Sequence, residues 1–281
     1  MSDWLTGPFT LEFMQRALAA SLIVGVVCSV LGCFVVLRSM AFLGDALAHA
    51  ILPGIAVAYL LGVSLVAGAL VAALAVALGI GLVSRRGTVR EDTAIGIMFA
   101  AALSLGVLLI STVRTYATDL THILFGNVLG VTTGDLWLTG SLALAVLAVL
   151  FLLYKEFVLA AFDPVLAHTL GRRPELMRAL MLVLLAVTIV VSLQTVGVGL
   201  VAAMLVTPAA TASLLTRRLP TMMAVAALFG TLSSVLGLYV SYYLDVSSGA
   251  AIVLTATAFF VLAFVLAPRR GVVWRARRAS A

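Results

Sequence analysis

A chain of 281 residues that is 64% hydrophobic, 10% charged and has a mean hydropathy of +1.25 is not a water-soluble globule, because a wetted surface needs about 25% charged residues. The formal net charge of +6 invites a nucleic-acid partner. That partner is not expected here, since the basic residues stand between long apolar blocks.

The first residues, Met1 to Trp4, carry no basic stretch and no cleavage signal, so no signal peptide is expected. Residues 17–37 then contain no Asp, Glu, Lys or Arg, which suits one helical crossing of roughly 20 residues. Cys28 and Cys33 lie in this run. Five residues apart is not one helix face, so they read as small buried side chains rather than a disulfide or a metal pair. The next charge-free run, 46–84, is about two crossings long and predicts a tight turn near Gly62.

At the start of that run stand Asp45 and His49, four apart and therefore on one helix face. On insertion scales an Asp in the bilayer costs about 2.5–3.5 kcal/mol, so an ionisable residue there is a functional hypothesis by default. Carboxylate with imidazole suits manganese, zinc or iron(II). Pairing of Asp45 with Arg38, and of His49 with a neighbouring helix, is the structural alternative. Pro53 lacks the amide that would bond the His49 carbonyl, which predicts a kink and a free carbonyl. Gly54 lets the kinked helix pack closely.

Residues 93–113 form a further run. The following polar segment, 113–135, places Gly126, Gly130 and Gly134 every four residues, with Phe125, Val128 and Leu129 between them. It reads either as a short, partly inserted helix or as a plain glycine-rich loop. Asp119 and His122 lie in it three apart, read as exposed loop residues with passing an ion inward as the alternative, and Asp135 marks a helix end. After the run 136–154, the segment 155–178 carries Asp163-Pro164, an N-cap followed by proline at the first helical position. A short helix to Leu170 stopped by Gly171 is expected, with His168 placed to touch a partner. The run 179–216 is again about two crossings, dividing at 194–197. Within it Pro208 frees the Met204 carbonyl, and Thr207 and Thr211 stand nearby as pore-lining or packing residues. Runs 219–244 and 246–268 and a basic tail, 268–281, complete the chain, and Asp245 marks an outer helix end.

Continuous apolar blocks exclude a barrel, and backbone groups in hydrocarbon must bond within their own segment. The fold class is therefore all-α: a polytopic transmembrane bundle of about nine helices, eight to ten by run length, in one integral-membrane domain over residues 1–281. With the C-terminus inside, nine spans place only Arg16 and Arg114 outside, as the positive-inside bias requires. The N-terminus is then outside. No GxxxxGK[ST] loop, nucleophile set or HExxH pattern occurs, so the chain is read as a transporter component rather than an enzyme.

The run VLRSMAFLGDALAHAILPGIAVAYLLG resembles the signature of the manganese/zinc/iron ABC-transporter permeases. The run SLQTVGVGLVAAMLVTPAATASLL resembles a second part of it, and FDPVLAHTLGRRP is similar to that family's coupling-helix loop. The resemblance covers nearly the whole chain. It implies a type II-like ABC importer permease in the bacterial cytoplasmic membrane. Two permease copies would form a homodimer, each contributing Asp45 and His49 to an intramembrane site for transported Mn2+, Zn2+ or Fe2+, with no covalently bound cofactor. Two cytoplasmic ATPase subunits would dock on residues 163–171, at Asp163, Pro164, His168 and Gly171, and an extracytoplasmic metal-binding protein would deliver the ion. A chelate or cobalamin permease would need a wide pore with few ionisable groups. A proton-coupled carrier would show internal repeats and acids in several spans. A structural anchor leaves the cost of Asp45 unexplained.

Overall fold

The computed structural model describes residues 11–84, 89–111 and 128–267. The expectations placed on Arg85, Arg86, Arg114, Asp119, His122, Phe125, Gly126 and the tail from residue 268 lie outside the described residues. The regular elements among the described residues are helical. In chain order they are α1 (Glu12–Leu37), α2 (Leu43–Ala50), α3 (Leu52–Leu61), α4 (Leu65–Ser84) and α5 (Glu91–Ser111). A 3-10 turn (Val128–Gly130) follows, then α6 (Thr133–Leu152), α7 (Tyr154–Phe162), α8 (Pro164–Thr169) and α9 (Pro174–Val196). The last three are α10 (Val198–Leu215), α11 (Leu219–Leu244) and α12 (Ser248–Leu266).

Nine spans among the described residues are long and apolar enough to cross a bilayer, with α2 and α3 together forming the second, Leu43–Leu61. The two double-length runs divide at the expected places. Gly62 ends α3 with φ +66°, and Gly197 separates α9 from α10 with φ +85°. Both angles lie where a Cβ is penalised, which is why glycine occupies these tight turns. The chain resolves into two compact units, each assembled from segments distant in sequence.

The unit containing α1, α10, α11 and α12 packs through small residues. A Cβ on Gly25 of α1 would stand 3.2 Å from the Gly230 carbonyl oxygen of α11, and one on Gly32 would stand 2.8 Å from the Leu205 carbonyl carbon of α10. On α11, a Cβ at Gly237 would meet the Ile252 backbone of α12 at 2.7 Å. In lipid no hydrophobic force draws helices together. Close backbone approach at such positions supplies the van der Waals contact instead. Ser234 Oγ adds a bond to the Ser21 carbonyl across the same α1–α11 face (3.1 Å).

The unit containing α2 to α5, α7 and α8 uses the same device. Gly54 of α3 and Gly68 of α4 face each other, and a Cβ on Gly54 would stand 2.6 Å from Ala72 Cβ and 2.7 Å from the Gly68 carbonyl carbon. Gly106 of α5 backs onto the same span, where a Cβ would meet Leu52 Cβ at 2.7 Å and Pro53 N at 3.1 Å. The span that carries Asp45 and His49 is thereby held between α4 and α5 by backbone contact.

Candidate functional site

Asp45 lies in the first turn of α2 and His49 in its last. The free amides of a helix start favour the carboxylate there, and the carbonyl end favours an imidazole. His49 Nε2 stands 3.5 Å from Asp45 Oδ1. Their side chains are 33% and 45% exposed respectively, although both belong to a 19-residue apolar span. Two donors bound to one ion at about 2.1 Å each stand roughly 3.4 Å apart in tetrahedral geometry. The observed separation therefore already matches the bite of a single ion. The aromatic ring of Phe99, on α5, packs against His49 with centroids 6.1 Å apart and planes at 65°.

The helix breaks at Ile51 and re-forms at Leu52, with Pro53 in the opening turn of α3. A backbone N–H at the Ile51 cap donates to the His49 carbonyl. The expectation of a free His49 carbonyl is thus corrected. That expectation assumed one continuous helix, whereas the interruption lets a nearby amide reach the group that proline leaves unbonded.

Among the described residues no group of three or more His, Cys, Asp or Glu side chains is placed to hold a metal ion. Asp45 and His49 are two donors, fewer than the four to six that manganese, zinc or iron takes. Cys28 and Cys33 are buried free thiols, and Cys33 Sγ bonds the Ser29 carbonyl of its own helix at 3.3 Å. Pro208 lies inside α10, and both it and Thr211 are buried. The Thr211 hydroxyl donates to the Thr207 carbonyl at 2.8 Å. Within the chain these side chains serve packing and the helix's own backbone.

The segment after the fifth span contains an element that the charge pattern hid. Helix α7 (Tyr154–Phe162) precedes α8, and Arg172 ties back to Glu156 of α7 at 2.8 Å. In α8, Asp163 caps the start, its Oδ1 accepting from Leu166 N at 2.8 Å with Pro164 next in line. The end closes at Gly171 (φ +71°), where the Arg172 N–H donates to the Ala167 carbonyl at 2.9 Å. Val165 and Leu170 are 73% and 61% exposed, Leu166 and His168 are exposed and Ala167 is buried. The six-residue helix thus turns most of its apolar side chains outward rather than into a core. Beside it, His168, Arg173, Glu175 and Arg178 join Leu78 and Leu82 of α4 around a cleft of about 540 Å3. Arg178 Nε pairs with Glu91 of α5 at 2.8 Å, and its guanidinium also donates to the Ser84 hydroxyl.

Residues 10–267 match the model of the ABC 3 transport family. The chain is 48% identical, over 96% of its length and 93% of the relative's, to the manganese transport system membrane protein MntC of Halalkalibacterium halodurans. It is 41% identical, over 94% of its own length and 97% of the relative's, to a Haemophilus influenzae membrane protein named for an iron transport system. The solved structure of PsaBC from Streptococcus pneumoniae in complex with Fab superposes with a TM-score of 0.84 at 38% identity, covering 100% of this chain and 99% of that one.

Proposed function

The chain belongs to the ABC 3 transport family, and on that premise we propose that it is the membrane-spanning subunit of an ATP-driven importer, carrying a divalent transition metal ion through Asp45 and His49. The observation that carries this reading is the half-exposed Asp45–His49 pair, spaced 3.5 Å apart within an apolar span. An ionisable pair left open at membrane depth faces a partner or a water-filled route, because lipid penalises it. The names of similar relatives rank manganese first and iron second.

One chain supplies two donors, so a second copy related by symmetry supplies the other two. Four donors, two carboxylates and two imidazoles, strip most of the water from the ion. They release it when the copies move apart, since each copy alone holds a chelate of only two. The chain's single lysine, Lys155, follows Tyr154, so the GK pair of a phosphate-binding loop is absent from this sequence. ATP hydrolysis then belongs to separate cytoplasmic subunits seated on Asp163, Pro164, His168 and Gly171, and an extracytoplasmic binding protein delivers the ion. Pro53 and Gly54 shape the interrupted second span, and Pro208 marks the corresponding proline position within α10. The chain sits in the bacterial cytoplasmic membrane with its C-terminus inside and N-terminus outside, as the arginine distribution favours.

The test is uptake of radiolabelled manganese, zinc and iron in cells expressing the whole transporter, with Asp45→Ala and His49→Ala at matched expression. Loss of uptake by more than ten-fold in both, the scale of losing a metal ligand or its support, is expected with ATPase assembly intact. Uptake at the wild-type rate in either variant would overturn the assignment.

A further inference from the structure

We propose that Phe99 is the positioning residue of the metal site, holding the His49 imidazole in the orientation that lets it and Asp45 share one ion. The inference rests on Asp45 and His49 taking the cargo and extends that reading to a residue with no donor atom. Phe99 stands between two rings. It meets His49 at 6.1 Å and 65° and meets Phe42, at the N-cap of α2, at 5.5 Å and 85°. Phe42 precedes Asp45 by three residues, so the aromatic row brackets the donor pair on one face of α2. A histidine ring turns over a broad, roughly two-fold range about its outer bond. An edge-on neighbour on one side narrows that range and keeps Nε2 directed towards Asp45.

Phe99 is itself held in place. Gly106, two turns further along α5, packs against Leu52 and Pro53 of the same span. Seven residues separate the two positions, which puts them on one face of the helix. Ile95 and Ala102 fill that stripe between and before them and are buried. The start of α5 is fixed by the Glu91–Arg178 pair at 2.8 Å. Helix α5 thus backs the site-bearing span at two levels, with a ring at His49 and a backbone contact at Pro53.

The experiment uses the assembled transporter, with manganese alone and cobalt(II) alone as probes in equilibrium dialysis and visible absorption. Phe99→Leu is expected to weaken binding of both ions by about ten-fold, the lower end of the effect of removing a group that orients a ligand. It is also expected to change the cobalt(II) absorption bands, which report the donor set. Phe99→Tyr keeps the ring and is expected to restore both readouts. Should Phe99→Leu fail to assemble, Phe99→Met, close in volume to the native residue, replaces it with the same expectation. Wild-type affinity and cobalt spectrum in the ringless variant, alongside weakened binding in His49→Ala, overturn the role of Phe99 alone. A Phe99→Tyr variant as weak as the ringless one overturns it as well. Unchanged binding in His49→Ala overturns the site itself, a different and separable outcome.

Discussion

A carboxylate in an apolar span is conspicuous because composition provides so few of them, and Asp45 and His49 could be read from sequence on that ground alone. Asp163 is equally legible for a different reason: cap chemistry is local, and Asp-Pro before a short apolar stretch specifies a helix start without help from the rest of the fold. Its carboxylate accepts from Leu166 N at 2.8 Å, so Asp163→Ala removes the one side-chain cap of a six-residue helix at a cost of about 1 kcal/mol. Such a short helix has little reserve. The expected result is a several-fold loss of metal-stimulated ATPase activity in the reconstituted transporter, restored by Asp163→Ser or Asp163→Asn, with metal binding at Asp45 and His49 retained. Equal activity in the alanine variant would show that the cap does not matter for docking. Phe99, by contrast, is silent in sequence, because one phenylalanine in an apolar run looks like every lipid-facing neighbour. The fate of the His49 carbonyl is not legible in sequence, because it depends on whether the helix continues through Ile51, and residue types alone do not determine that.

At the scale of elements, charge-free runs and glycine positions recover the spans and the turns at Gly62 and Gly197. Helix α7 is hidden in the sequence because Lys155 and Glu156 place it among polar residues, outside the apolar blocks. The helix crossings were only partly legible. Gly54 beside Pro53 suggested close packing, but its counterpart Gly68 is one small residue among many in α4, and only the fold shows that the two face each other. That crossing leaves no room for a side chain, since the atoms nearest a Gly54 Cβ are the Gly68 backbone and Ala72 Cβ. Backbone does not yield as a flexible side chain does. Gly54→Leu is therefore expected to exceed the 1–3 kcal/mol typical of overpacking and to abolish recovery of a monodisperse complex in detergent. Gly62→Ala, at a site with open space around it, is expected to cost only about 1 kcal/mol through its positive φ. Normal yield and elution of Gly54→Leu would mean that α3 and α4 do not meet as described.

For the whole molecule the decisive question is which loops face which side, because the proposed docking role of α8 and the proposed direction of transport both depend on it. The nine spans among the described residues, an odd number, would put the two ends of the chain on opposite sides. The proposed side rests on the basic residues: Arg172, Arg173, Arg217 and Arg218 flank connections that this count places together, and short cytoplasmic loops are where arginine accumulates. In the proposed orientation the turn after α3 and the turn between α11 and α12 face outward, while α8 faces inward. Ser64 and Ser247 are exposed in the two outer turns and Thr169 at the end of α8. The native thiols, Cys28 and Cys33, are both 0% exposed, so the wild-type background is expected to be unreactive. A membrane-impermeant maleimide added to intact spheroplasts is therefore expected to label Ser64→Cys and Ser247→Cys and to spare Thr169→Cys until the membrane is opened. Labelling of Thr169→Cys in sealed cells would invert the topology and remove the cytoplasmic docking role of α8. Labelling of only one of the two outer positions would require a span to be lost or added between Leu65 and Leu244. The helical composition would then survive, but the count of nine, and the link between the arginine distribution and transport direction, would not.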